Sequence, residues 1–117
     1  MKALKPKEPT FDVEGYPTEE TLKTIREWPR GPGWAFLGLM EYVRKAWHWG
    51  DDGFNGQDIV DNLFPDTPIK RYAISTGGWS GNEDLIVSLM GNRMFWAMCW
   101  EEERRGGHYI FELREVK

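Results

Sequence analysis

The sequence is poor in the residues that most often carry chemistry or cross-links. It has one cysteine, Cys99, which rules out an intramolecular disulfide. Cys99 lies in the apolar run MFWAMCW, where it reads as an inert core thiol rather than a nucleophile. A lone thiol suits a reducing cytosol. Histidine occurs twice, as His48 and His108. So few ligating residues give no transition-metal pattern, and no nucleophile elbow is present. No metal and no cofactor is expected. Long apolar runs are missing: nothing approaches a membrane span, and the first residues lack the apolar stretch of a secretory signal. A basic excess is missing too. The net charge is −4, the reverse of a generic nucleic-acid binder, so neither a membrane nor direct nucleic-acid contact is expected.

Aromatics are what the chain has in surplus: seven Trp, six Phe and four Tyr. They bury large areas, but a buried indole N–H needs a partner, so some of these rings should sit at a rim or an interface. The 117 residues fit one domain. Residues 1–12 begin with the Lys- and Pro-rich MKALKPKEPT and read as a flexible tail, leaving 13–117 as a single domain.

Thr18–Trp28 reads as a helix, with Thr18 as N-cap, Glu19 and Glu20 in its first turn and Pro29 as its stop. Trp34–His48 reads as a second helix, with Phe36, Met40, Val43 and Trp47 along one stripe. Within 50–68, GDDGFNGQ looks like a turn or loop, and Asp58–Phe64 fits a helical turn or a short edge strand. Ile69–Thr76 reads as a strand. A third helix is expected from Asn82 as its cap to Gly91-Asn92 at its end. Arg93–Glu101 is apolar at alternating and intervening positions, which reads as a doubly covered central strand. His108–Val116 is its expected hairpin partner, across a turn at Glu102–Gly107. The sum is an α+β domain: a small antiparallel or mixed sheet of at least three strands with about three helices packed on it.

Three places hint at binding. The loop Thr76-Gly77-Gly78-Trp79-Ser80-Gly81-Asn82 lies between a strand and a helix, where backbone N–H groups and the helix end suit a phosphate or carboxylate. It lacks the Lys of a phosphate-binding loop, and Glu83 and Asp84 would repel an anion, so a tight turn is the competing reading. The second place is Arg104, Arg105 and His108 around Gly106-Gly107, which fit either an anion grip or a solvated hairpin tip. The third is Trp47-His48-Trp49, an interaction hot spot or simply a core closure. Partner contacts are therefore expected from Trp47, Trp49, Trp79, Arg104 and Arg105. The carboxylate pair Asp51–Asp52 reads as solvated. An acid–base pair such as His108 with Glu83 is the weak enzymatic alternative.

The segments YPTEETLKTIREWP (16–29), STGGWSGNEDLI (75–86), MFWAMCW (94–100) and RRGGHYIFE (104–112) resemble a group of small proteins of tailed phages and prophages. The resemblance covers most of residues 16–112, and the 58–68 excursion fits it least. It implies a phage protein working in the host bacterial cytoplasm. The group carries no settled activity, so no catalytic residue is transferred. Together with the missing catalytic constellation, this points to an accessory protein that binds a host or phage protein, for instance to inhibit a host defence or metabolic protein. The alternative is a binder of a small phosphorylated ligand, such as a nucleotide, at loop 77–82. A virion role and a homodimer are both compatible with the sequence.

Overall fold

The computed structural model describes residues 8–31 and 33–114. Most of the expected tail, Pro32 and the last residues of the expected final strand therefore lie outside the described residues, as does the side chain of Asp51.

Helix α1 (Glu19–Arg26) begins where Thr18 Oγ1 accepts from the Thr21 N–H. Thr10 is tied to it by an N–H bond of 2.8 Å to Thr21 Oγ1. A short 3-10 turn (Gly33–Phe36) leads into α2 (Leu37–Ala46), which buries Leu39, Met40, Val43 and Ala46. The single turn α3 (Gly50–Gly53) then delivers the chain to β1 (Phe54–Ile59). GDDGFNGQ is thus part helical turn and part strand rather than loop. β1 is polar because it is an edge, with Asn55, Gly56, Gln57 and Asp58 all exposed.

Strand β2 (Ile69–Ser75) leads to α4 (Ser80–Gly91), then α5 (Arg93–Cys99), β3 (Trp100–Arg104) and β4 (His108–Arg114). The sheet order is β1-β2-β4-β3 and every pairing is antiparallel. The fold is α+β, as the sequence indicates, with four strands rather than the minimum of three. Inner-face residues Phe54, Tyr72, Ile74, Phe111 and Leu113 join the helical residues Ile25, Phe36, Leu85, Leu89, Phe95 and Cys99 in one core. The opposite face carries Ala73, Ser75, His108 and Ile110, plus an ion-pair ladder. In that ladder Arg71 and Arg114 both bind Glu112, at 2.5 and 2.9 Å, and Arg114 also binds Asp61 at 2.5 Å.

Segment 93–99 departs from the sequence-based strand: it is helical. Only Phe95 and Cys99, four residues apart, are fully buried, which is the spacing of one helix face. Met94 and Met98 are instead partly exposed. The helix starts because the Asn92 side chain accepts from the Phe95 N–H at 3.2 Å. Asn92 also donates to the carbonyls of Ile25 (3.0 Å) and Trp28 (3.2 Å), so it closes the end of α1 as well. The strand proper begins only at Trp100, with a bulge before Glu102.

Candidate functional site

The two glycine-rich turns lie together. The Thr76 N–H donates to the Gly107 carbonyl at 3.0 Å, and Ser75 Oγ is hydrogen-bonded to His108 Nδ1 at 2.7 Å. The glycines have concrete reasons to be there. Gly77 (φ 66°), Gly78 (φ 79°), Gly106 (φ 98°) and Gly107 (φ 81°) occupy left-handed backbone, which favours glycine. A Cβ on Gly77 would lie 2.7 Å from the Trp49 ring. A Cβ on Gly81 would strike Trp79, and one on Gly107 would strike Thr76 Oγ1. These glycines admit the protein's own side chains.

Asn82 is not the cap of α4. The helix starts at Ser80, with Trp79 at the cap position. Asn82 is fully buried one turn in and fastens the preceding α2–α3 link. Its Oδ1 accepts from the His48 N–H (2.9 Å), and its Nδ2 donates to the carbonyls of His48 (3.0 Å) and Thr76 (3.1 Å). A buried amide with both ends satisfied orients what it holds. What it holds is the Trp47-His48-Trp49 segment.

The three residues of that segment part ways. Trp47 is buried and donates its indole N–H to the Ser75 carbonyl at 3.1 Å, so it belongs to the core. His48 and Trp49 face outward, Trp49 with 52% of its surface exposed. Trp49 sits at φ 63°, a conformation that costs an aromatic residue about 1–2 kcal/mol. Its carbonyl accepts from Asp52 (3.1 Å) and Gly53 (2.8 Å), which makes the turn α3.

Around this pair a continuous row of rings forms. Tyr16 and Trp79 have centroids 4.9 Å apart, Trp79 and His48 4.7 Å, and His48 and Trp49 4.3 Å. Tyr16 is brought in by a turn in which Asp12 Oδ1 accepts from the N–H groups of Glu14 and Tyr16, and its hydroxyl accepts from Ser80 Oγ at 3.1 Å. The segments that build the row carry exposed Asp12, Glu14, Asp52, Glu83 and Asp84, and no Lys or Arg between 11 and 17, 47 and 54, or 79 and 86. Tyr16 was not singled out from the sequence; its partnership with Trp79 spans more than sixty residues and left no local signal.

The hairpin residues are placed differently. Arg104 lies on the sheet's open face and is ion-paired to Glu102, which raises its pKa through that hydrogen bond. Ser75, Arg104, His108 and Ile110 line a cavity of about 340 Å³ there. Arg105 is exposed in the turn. No hydrogen bond or ion pair joins His108 to Glu83 among the described residues, and His108 is instead engaged with Ser75. Cys99 is fully buried, and burial pushes its thiol up to about 12, far from a reactive thiolate. Among the described residues no group of three or more His, Cys, Asp or Glu side chains is placed to hold a metal ion. No helix among them is long and apolar enough to cross a membrane.

The fold defines an antiparallel α+β protein with helices on one sheet face and an aromatic row beyond the C-terminal end of β2. Comparison with protein-family models, with curated proteins and with solved structures finds no match to this chain.

Proposed function

We propose that this is a small phage accessory protein of the host bacterial cytoplasm that works by binding a host or phage protein, and that the row Tyr16–Trp79–His48–Trp49 is its contact surface. The observation that carries this reading is Trp49: a half-exposed indole held at positive φ over Gly77. Strain kept at a surface ring is a feature of functional positions. Aromatic anchors also dominate binding energy at protein interfaces. The acidic setting of the row selects the partner's chemistry. Lys or Arg side chains would stack on the rings and meet Asp52, Glu83 or Asp84 at the rim. Inhibition of a host defence or metabolic protein follows naturally if the basic segment is functional in that protein.

The test is affinity capture from host lysate with the wild-type chain and with Trp49→Ala, quantified side by side. The reading expects one protein at near-stoichiometric yield with the wild type, lost with the variant and released by salt. No such protein, or equal recovery by both, would end it.

A second reading is a small phosphorylated ligand held on the sheet's open face at Ser75, Arg104 and His108, next to the glycine turns, although no residue of loop 77–82 lines that cavity. The contact of Thr76 with Gly107 and the cavity at Ser75, Arg104 and His108 favour it. Its test is pyrophosphate titration of the wild type against Ser75→Ala/Arg104→Ala; binding unchanged in the folded variant would remove this site.

A further inference from the structure

The end of α1, the segment after it and the α4–α5 joint enclose a cavity of about 680 Å³ that shares no residue with the surfaces above. Three arginines, Arg26, Arg30 and Arg93, and one acidic residue, Glu27, are in its lining, and the Arg26 guanidinium is ion-paired to Glu19 outside it. This local positive excess stands out in a chain of net charge −4. Arg30 and Arg93 are exposed and form no ion pair among the described residues. Arg26 is engaged by Glu19 at 2.6 Å and contributes its stem, which lies across Gly91, where a Cβ would come within 3.1 Å of Cγ and Cδ.

The floor of the cavity matters as much as its walls. A helix C-terminus normally presents carbonyl oxygens and negative partial charge, which repel anions. Here the buried Asn92 amide donates to the Ile25 and Trp28 carbonyls at 3.0 and 3.2 Å and so occupies them. The exposed Arg30 and Arg93 side chains beside them carry N–H donors suited to bidentate phosphate binding. The volume lies within the range of about 300–1,000 Å³ usual for small-molecule sites, well above what a lone phosphate fills. The half-buried Trp28 supplies an apolar wall.

We propose that this cavity binds a small polyphosphate-bearing molecule of nucleotide size, with Arg30 and Arg93 as the phosphate ligands. The proposal is independent of the aromatic row.

The experiment is isothermal titration of the full chain with pyrophosphate, with ATP and with a short single-stranded oligonucleotide. Pyrophosphate and ATP should bind, ATP the more tightly, and Arg30→Ala/Arg93→Ala should weaken both by roughly tenfold or more. Gln57→Ala, on the exposed edge strand β1 and in neither cavity lining, should leave both unchanged. Circular dichroism checks the fold. Should the double variant unfold, Arg30→Ala alone, in an exposed segment after Pro29, must still weaken binding. No heat with either small probe, unchanged affinity in the arginine variants, or an oligonucleotide bound more tightly than ATP through the same arginines would each overturn the proposal.

Discussion

Thr76 and Gly107 hold the two glycine turns together: the Thr76 N–H reaches the Gly107 carbonyl at 3.0 Å, and the Thr76 hydroxyl fills the space a Cβ on Gly107 would need. Gly107→Ala therefore meets two obstacles, a collision and a φ of 81°. It should cost about 2 kcal/mol, on the order of a 10 °C drop in melting temperature. Gly106→Ala shares the positive φ, but its new Cβ would meet only the movable His108 ring, at 3.2 Å. Its loss should be clearly smaller. Thermal unfolding of the two variants checks the order; a reversed order would mean the Thr76 contact does not form.

Trp49 allows strain to be separated from contact. Trp49→Ala keeps the positive φ, whereas Trp49→Gly relaxes it. The Gly variant should be more stable than the Ala variant by about 1 kcal/mol. Both should lose partner capture equally, because both lose the ring. Urea midpoints give the first comparison and lysate capture the second. A Gly variant that is the less stable of the two would contradict the strained backbone.

Asn92 serves three partners from a nearly inaccessible position. Asn92→Ala leaves two carbonyls and the Phe95 N–H without it and should cost about 3 kcal/mol. Asn92→Ser keeps an acceptor for Phe95 but not both donors, and should fall between. Equilibrium unfolding decides; an Ala variant within about 0.5 kcal/mol of wild type would show that water replaces the amide.

Alkaline pH should weaken the fold. Burial pushes both the Cys99 thiol and the Tyr72 phenol up to about 12, from 9.0 and 10.0. Each is neutral when protonated, and the unfolded chain releases these protons first. Their contribution is complete below the unfolded values and is lost as pH rises toward about 12. The slope is about 1.4 kcal/mol per pH unit for each group in its window. Urea midpoints measured from about pH 8 to about pH 11 should decline, and Tyr72→Phe should flatten the upper part of that decline. A pH-independent midpoint would mean both groups titrate as in the open chain.

Legibility followed local signal. Thr18 and the acidic first turn announce α1, and the stripe Phe36, Met40, Val43, Trp47 is buried as its spacing implies. Strands β2 and β4 keep a clean alternation, with Tyr72 opposite Phe111 and Ile74 opposite Tyr109 on the core side. Segment 93–99 misleads because its surface face is also apolar: Met94, Ala97 and Met98 hide the Phe95–Cys99 helical spacing. Its one start signal, Asn92, doubles as the end of α4. β1 carries little strand-forming sequence, and Gly56 is present because the Tyr72 ring would lie 2.9 Å from a Cβ there. At the candidate site the glycines and Trp49 were legible, while the Tyr16–Trp79 contact and the role of Asn82 arise only from tertiary packing.

The Asn92 junction also sets how the chain can vary in length. One residue, Asn92, ends α4 with its backbone N–H and starts α5 and closes α1 with its side chain, without a spacer, so adding or deleting a single residue there would rotate α5 by roughly a hundred degrees and expose Phe95 and Cys99. The 60–67 excursion, whose Val60, Leu63 and Phe64 are largely solvent-facing, makes no comparable demand. Insertions in related chains should accumulate in that excursion and stop short of the α4–α5 junction.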